Sequence, residues 1–219
     1  MKRLMLALLV VGATVTMIGM VTLANFSDTE ESIGNTATAG TLNLLVGTGS
    51  NGPATCNSPE DDPPAEFTIT NMAPGESEEQ TPCLKNDGSI DASKATLEYT
   101  ITADLDNGCS EPEIVAEPTC NSDTLGELDS NLDVDTWVDN GAGIGGVRCD
   151  NLKNGDETSV GALTGKLSDI HGGGPVELGV GVSAGAFICV GIELSVDGAV
   201  GNIIQSDSVT FTKTYVLTQ

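Results

Sequence analysis

The sequence predicts an all-β protein: an antiparallel β-sandwich preceded by a flexible N-terminal arm. Apolar residues alternate with polar ones over several short stretches, the period of two that a half-buried strand requires. No stretch sustains the three-to-four-residue spacing of an amphipathic helix. Glycine (27 of 219 residues) and small polar residues punctuate the alternating stretches, and β-branched residues fill them. About eight to ten short strands joined by turns make a sandwich of antiparallel sheets.

Residues 1–24 divide as an export signal. Lys2 and Arg3 form a basic end, residues 4–23 are apolar, and Thr22-Leu23-Ala24 is a small-x-small cleavage site. About 20 apolar residues can also span a bilayer. The acidic segment that follows favours removal by the export signal peptidase, with no stable membrane insertion afterwards. Residues 25–38 form the arm, whose only large apolar side chains are Phe26 and Ile33. It is too polar to build a core, so it is either a tether or a strand that completes another subunit's sheet. Phe26, Ser27, Asp28, Ile33, Asn35 and Thr36 are the candidate donor-strand residues.

The sandwich domain, residues 39–219, opens with the alternation Leu42, Leu44, Val46. Residues 47–64 read as a surface loop interrupted only by Cys56, and 65–70 as a strand with Phe67 and Ile69 inward. Pro74-Gly75 sits at the corners of a type II turn. In 94–104, Ala95, Leu97, Tyr99, Ile101 and Ala103 point one way, making this the cleanest strand. Residues 105–130 read as a polar loop with a short helix near 122–130. Leu132, Val134 and Val138 then share one face, and Asp133, Asp135, Trp137 and Asp139 the other. Trp137 on that acidic face calls for cover by a loop or a neighbouring subunit. Strands follow over 175–182, 188–196 and 207–217, the last with Lys213 as the one charge on its inward face.

Charge excludes whole classes of partner. The formal net charge is −24, and losing Lys2 and Arg3 with the signal takes it to −26. Such a surface repels nucleic acid and anionic lipid and attracts divalent cations. Cys56, Cys83, Cys109, Cys120, Cys149 and Cys189 form an even set in an exported chain, which reads as disulfides. Sequence proximity favours Cys109 with Cys120, then Cys56 with Cys83, and leaves the full pairing open. The single histidine, His171, lies in a glycine-rich loop. It cannot supply the two imidazoles of a His-Glu-x-x-His zinc site, and no Gly-x-Ser-x-Gly elbow accompanies it. The chain is therefore expected not to be an enzyme. Asp150, Asn154, Asp156 and Glu157, with Asn151 between, place hard oxygen ligands close together, as Ca²⁺ prefers. Leu152 and Gly161 break an EF-hand match, so the choice lies between an irregular calcium loop, helped by Asp135 or Asp139, and a solvated acidic loop.

Several motifs carry a resemblance. Asn25-Phe26-Ser27-Asp28, the box Ala39-Gly40-Thr41-Leu42-Asn43-Leu44, the Asn71–Gly75 turn, Asn86-Asp87-Gly88-Ser89 and the ending from Gly201 to Phe211 resemble the TasA/camelysin family of secreted, fibre-forming proteins. Asn43 stands where Asp is commoner, and residues 105–200 match only loosely. The resemblance implies a jelly-roll sandwich and polymerisation by donor-strand complementation, each arm completing the next subunit's sheet. The expected function is thus a secreted subunit of extracellular filaments or biofilm matrix whose partner is itself, as a head-to-tail homopolymer. The alternatives are a monomeric calcium-binding cell-surface protein and, through the family's name, a camelysin-type metallo-endopeptidase.

Overall fold

A computed structural model describes residues 39–50, 55–61, 72–109, 111–120, 122, 124–141, 148–150 and 152–219. The expected signal and arm and the expected strand over 65–70 lie outside these. Gly40–Gln219 form one compact unit. Its strands are β1 (Leu44–Ser50), β2 (Thr55–Glu60), β3 (Ser77–Gln80), β4 (Pro82–Asn86), β5 (Lys94–Leu105), β6 (Leu132–Val138), β7 (Gly165–Lys166), β8 (Val176–Glu177), β9 (Phe187–Val196) and β10 (Ser208–Thr218).

The architecture is all-β, and every named strand pair is antiparallel. One sheet runs β2-β1-β4-β9-β6-β7, the other β10-β5-β8. The first is built around β9. Along one side of β9, β4 pairs with Phe187–Cys189 and β3 with Ile192–Ser195, while β6 runs along the other from Leu132↔Val196 to Val138↔Val190. Alternation decides what faces inward. Leu84, Val134, Val190, Ile192 and Leu194 from this sheet join Ala95, Leu97 and Tyr99 from the other in one buried cluster. Each large side chain so buried stabilises the fold by about 1.5–3 kcal/mol. The Tyr99 hydroxyl, deep in the core, is satisfied by Thr136 Oγ1 at 2.9 Å, a polar tie between the two sheets.

The turn expected at Pro74-Gly75 is present. Gly75 has φ +88° and Glu76 N–H donates to Ala73 O at 3.0 Å. Two of the motifs quoted above also turn out to be fold-building, because they dock on each other. Buried Asn86 accepts from Gly88 N–H through Oδ1 and donates through Nδ2 to Ile90 O and Val182 O. The turn so made receives Thr41 N–H on Ser89 Oγ, and returns Ser89 N–H to Thr41 O. Gly88 is required there, since a Cβ would lie 2.2 Å from Thr41 O.

Elsewhere local sequence misled. The expected 47–64 loop contains the end of β1 and all of β2. Glycine, serine and proline suit turns, yet backbone pairing with β4 and the Cys56–Cys83 disulfide hold this hairpin in the sheet. Proline is tolerated because, among the described residues, β2 is an edge. The 175–182 strand shrinks to β8 and a bridge from Ala92 to Val182, with Gly179 turning at φ +73°. The helix near 122–130 is one turn, Leu128–Asn131, and a second, Glu113–Ala116, stands in the polar loop.

Candidate assembly edge and acidic clusters

The three-stranded sheet ends on β10, an eleven-residue strand paired with β5 from Ser208↔Leu105 to Thr218↔Lys94. Among the described residues no strand pairs with its other side. The consequence shows in burial. Inward-facing Ala95, Leu97 and Tyr99 of β5 are fully buried, while Val209, Phe211, Lys213, Tyr215 and Leu217 of β10 are only partly covered. Lys213 does face inward between Phe211 and Tyr215, and burial pulls its ammonium down to about 7. An inward-pointing lysine is one of the devices that keep an edge strand from pairing indiscriminately.

The outer face of the larger sheet carries a second, smaller cluster. Cys83, Cys149 and Cys189 are fully buried there, joined as Cys56–Cys83 and Cys149–Cys189, while Cys109–Cys120 closes the polar loop. All six cysteines are therefore paired. Trp137 lies on the same face at 0 % exposure, over Gly191 of β9, where a Cβ would meet the indole at 2.0 Å. Its cover is a loop of the same chain: Ser159 bridges to it, and Lys153 Nζ stands 5.8 Å from the ring centre.

That cover is held down by the residues proposed as calcium ligands and by Asp139. Asp139, fully buried, accepts Cys149 N–H on Oδ1 at 2.8 Å and Asp150 N–H on Oδ2 at 2.9 Å. Glu157, 6 % exposed, accepts from Asn140 and Gly141 on Oε1 and from Asn154 on Oε2. Asp150 accepts Leu152 N–H, and Asn154 Nδ2 lies 3.4 Å from both its oxygens. Asp156 is exposed. The structure thus brings Asp150, Asn154 and Glu157 together, with backbone amides occupying the carboxylates. Burial lifts the Asp139 carboxyl to about 6; the Cys149 N–H opposes that lift, and Glu157 and Asp150 add to it.

A different acidic group went unnoticed in the sequence. Asp106, Glu113 and Asp207 bring carboxylate oxygens within 4.8 Å of one another. Asp106 follows β5, Glu113 opens a one-turn helix and Asp207 precedes β10. Glu113 is 0 % exposed and accepts from Ser206 Oγ at 3.0 Å. Asp207 Oδ2 accepts Glu127 N–H at 2.6 Å, and Asp106 Oδ1 accepts Gly108 N–H at 2.8 Å. Burial, helped by Glu113, Asp106 and Asp104 and opposed by the Glu127 N–H, lifts Asp207 to about 6. No local signal announces this group, since about a hundred residues separate Asp106 from Asp207.

The donor-strand candidates Phe26, Ser27, Asp28, Ile33, Asn35 and Thr36 lie outside the described residues. His171 is exposed, and the one carboxylate group that could hold a metal among the described residues does not include it. A family model described as camelysin metallo-endopeptidase matches residues 1–112, a range that includes β1 to β5. No curated protein matches the chain.

Proposed function

Because the chain belongs to the camelysin metallo-endopeptidase family, we propose that it is a secreted structural subunit of extracellular filaments or a biofilm matrix. In this reading the jelly-roll sandwich of one subunit is completed by the arm of the next. The observation that carries it is β10, eleven residues long, one-sided among the described residues and with its inward side chains only partly covered. An edge of that length presents a row of backbone groups that an added strand satisfies. Head-to-tail insertion is heterologous and propagates into a fibre unless it closes.

Proteolysis is the poorer reading. The family's name implies a metal, but a zinc peptidase site is built on imidazoles, and the chain has one histidine, exposed on a glycine loop. The donor set does not fit, and no hydrolytic step is assigned.

The test is deletion of residues 26–36 from the exported protein. It should leave a folded, soluble monomer that forms no filaments in negative-stain microscopy, because the arm's strand bonds are made to another subunit. Burying Phe26 or Ile33 in a neighbour is worth about 1.5–3 kcal/mol, set against the cost of ordering the arm. In a regular strand these two, seven residues apart, fall on opposite faces. Phe26→Asp and Ile33→Asp made singly therefore identify which one the accepting groove takes. Fibres of normal diameter from the deleted protein would overturn the reading. Wild type that stays monomeric at high concentration, with its signal removed and calcium present, would favour a monomeric surface protein.

A further inference from the structure

We infer that Cys56 is a thiol-exchange site, through which the four cysteines gathered on the outer face of the larger sheet pass to a second pairing. Their present bonds are Cys56–Cys83 and Cys149–Cys189. The second pairing is Cys83–Cys189 with Cys56–Cys149. The inference does not depend on whether the chain polymerises.

Sheet register brings the sulfurs together. Cys83 of β4 lies directly opposite Cys189 of β9, yet each is bonded to a different cysteine. In the same register Asn86 N–H donates to Ala186 O, a hydrogen-bonded rung. Rungs alternate, so Cys83 and Cys189, three residues along, occupy a non-hydrogen-bonded one. There the Cα atoms stand about 4.5 Å apart, where side chains approach most closely. A disulfide spans Cα separations of about 4.4–6.8 Å, so this pair can be joined without moving the backbone far.

The other two cysteines meet across β1. Gly47 lies opposite Cys83 and Gly49 opposite Cys56, so no β1 side chain separates them. A Cβ on Gly49 would stand 3.3 Å from Cys149 Cβ, which places Cys149 over the rung that carries Cys56. Cys83, Cys149 and Cys189 are fully buried in one cluster, and Cys56 packs against it while staying partly exposed. The arrangement admits two complete pairings.

Exposure sets the order of events. Cys56 is the one of the four that a thiolate from solution can reach. Attack on Cys56 Sγ makes a mixed disulfide there and expels Cys83 as a thiolate. That thiolate is buried, and the disulfide sulfur facing it across the rung is that of Cys189. Its attack forms Cys83–Cys189 and expels Cys149. Cys149 then attacks Cys56 Sγ, forms Cys56–Cys149 and returns the external thiolate. Two disulfides exist before and after, so nothing is oxidised or reduced overall and the external thiol acts as a catalyst. Cys149 is suited to leave, because its φ of +62° lies in the left-handed region that a residue with a Cβ adopts only at a steric cost. Its bond to Cys189 ties β9 to the segment that leads into the cover over Trp137. Exchange transfers that tie to the edge strand β2.

Single substitutions test the geometry without an added reagent. In Cys149→Ser, Cys189 is left as a thiol opposite Cys83, and most molecules should carry Cys83–Cys189 with Cys56 free. In Cys56→Ser the same bond should form with Cys149 free, which decides the matter if the first variant does not fold. Acid quenching, alkylation in urea and mass spectrometry of peptic peptides read the pairing. Cys56–Cys83 retained in Cys149→Ser, or Cys149–Cys189 retained in Cys56→Ser, would overturn the inference. Folded wild type held with reduced glutathione at pH 8 tests the route. It should carry glutathione on Cys56, with the Cys83–Cys189 peptide rising at least tenfold over untreated protein. No adduct on Cys56, or an adduct there with Cys83 left as the free thiol, would rule the relay out.

Discussion

Asp139 and Glu157 stand among backbone amides; Asp106, Glu113 and Asp207 stand among one another. Both groups lie where a loop returns to a sheet, and both contain a carboxylate that solvent hardly reaches. In the first, five N–H groups are distributed over two carboxylates, and the charges anchor the cover over Trp137 and the Cys149–Cys189 disulfide. In the second, three carboxylates converge on a common point. Acidic residue count does not distinguish these cases. The number of backbone donors does: Asp139 and Glu157 accept two and three backbone N–H bonds, whereas Asp106 and Asp207 accept one each.

That contrast can be broken by substitution. The largest effect is expected at Asp139→Ala, which strips the acceptor from the buried Cys149 and Asp150 amides. At about 1–3 kcal/mol for each stranded group, the loss is about 2–6 kcal/mol, read as a lower urea midpoint. Asp156→Ala, an exposed neighbour, should stay within about 0.5 kcal/mol. Equal, small effects from both would mean that the amide anchoring contributes little.

Next comes pH. Folding raises the Asp139 carboxyl from 3.8 to about 6. A carboxyl raised on folding binds its proton more tightly in the native state, so its contribution to stability is complete below about 3.8 and is lost as pH rises through 6. Wild type should therefore gain stability between pH 7 and pH 4.5, and Asp139→Asn should flatten that slope. Asp207, raised for related reasons, keeps part of it. An identical slope in Asp139→Asn would remove Asp139 from the account.

The smallest effect has the opposite sign. In EDTA, Asp106→Asn should raise Tm by a degree or two, because it removes one of three like charges and keeps the bond from Gly108. A lower Tm would place Asp106 with the amide-anchored carboxylates and dissolve the contrast.

Much of this molecule is written locally. Alternation at a period of two marks β5, β6, β9 and β10 because each buries one face, and that requirement is visible residue by residue. Pro74-Gly75 announces its turn because only certain residues accept the φ angles involved. Cysteine proximity indicates two of the three disulfides. Local reading fails where pairing depends on distant partners. β2 pairs with the end of β1 inside residues 47–64, but what holds that glycine- and serine-rich hairpin in the sheet lies beyond them, in β4 and the staple to Cys83. Trp137 sits on a face that alternation assigns to solvent, and among the described residues Lys153 and Ser159 fold back over it.

The acidic residues divide along the same line. Composition alone determines that the chain is strongly acidic and that the cysteines can all pair. Periodicity alone determines an antiparallel all-β fold. Which carboxylates are anchored and which converge is decided by tertiary structure. Asp106 and Asp207 become neighbours only because β5 and β10 pair in one register, with Leu105 opposite Ser208. The charge at each position is a property of the residue, whereas its compensation depends on what the fold brings within a few ångströms.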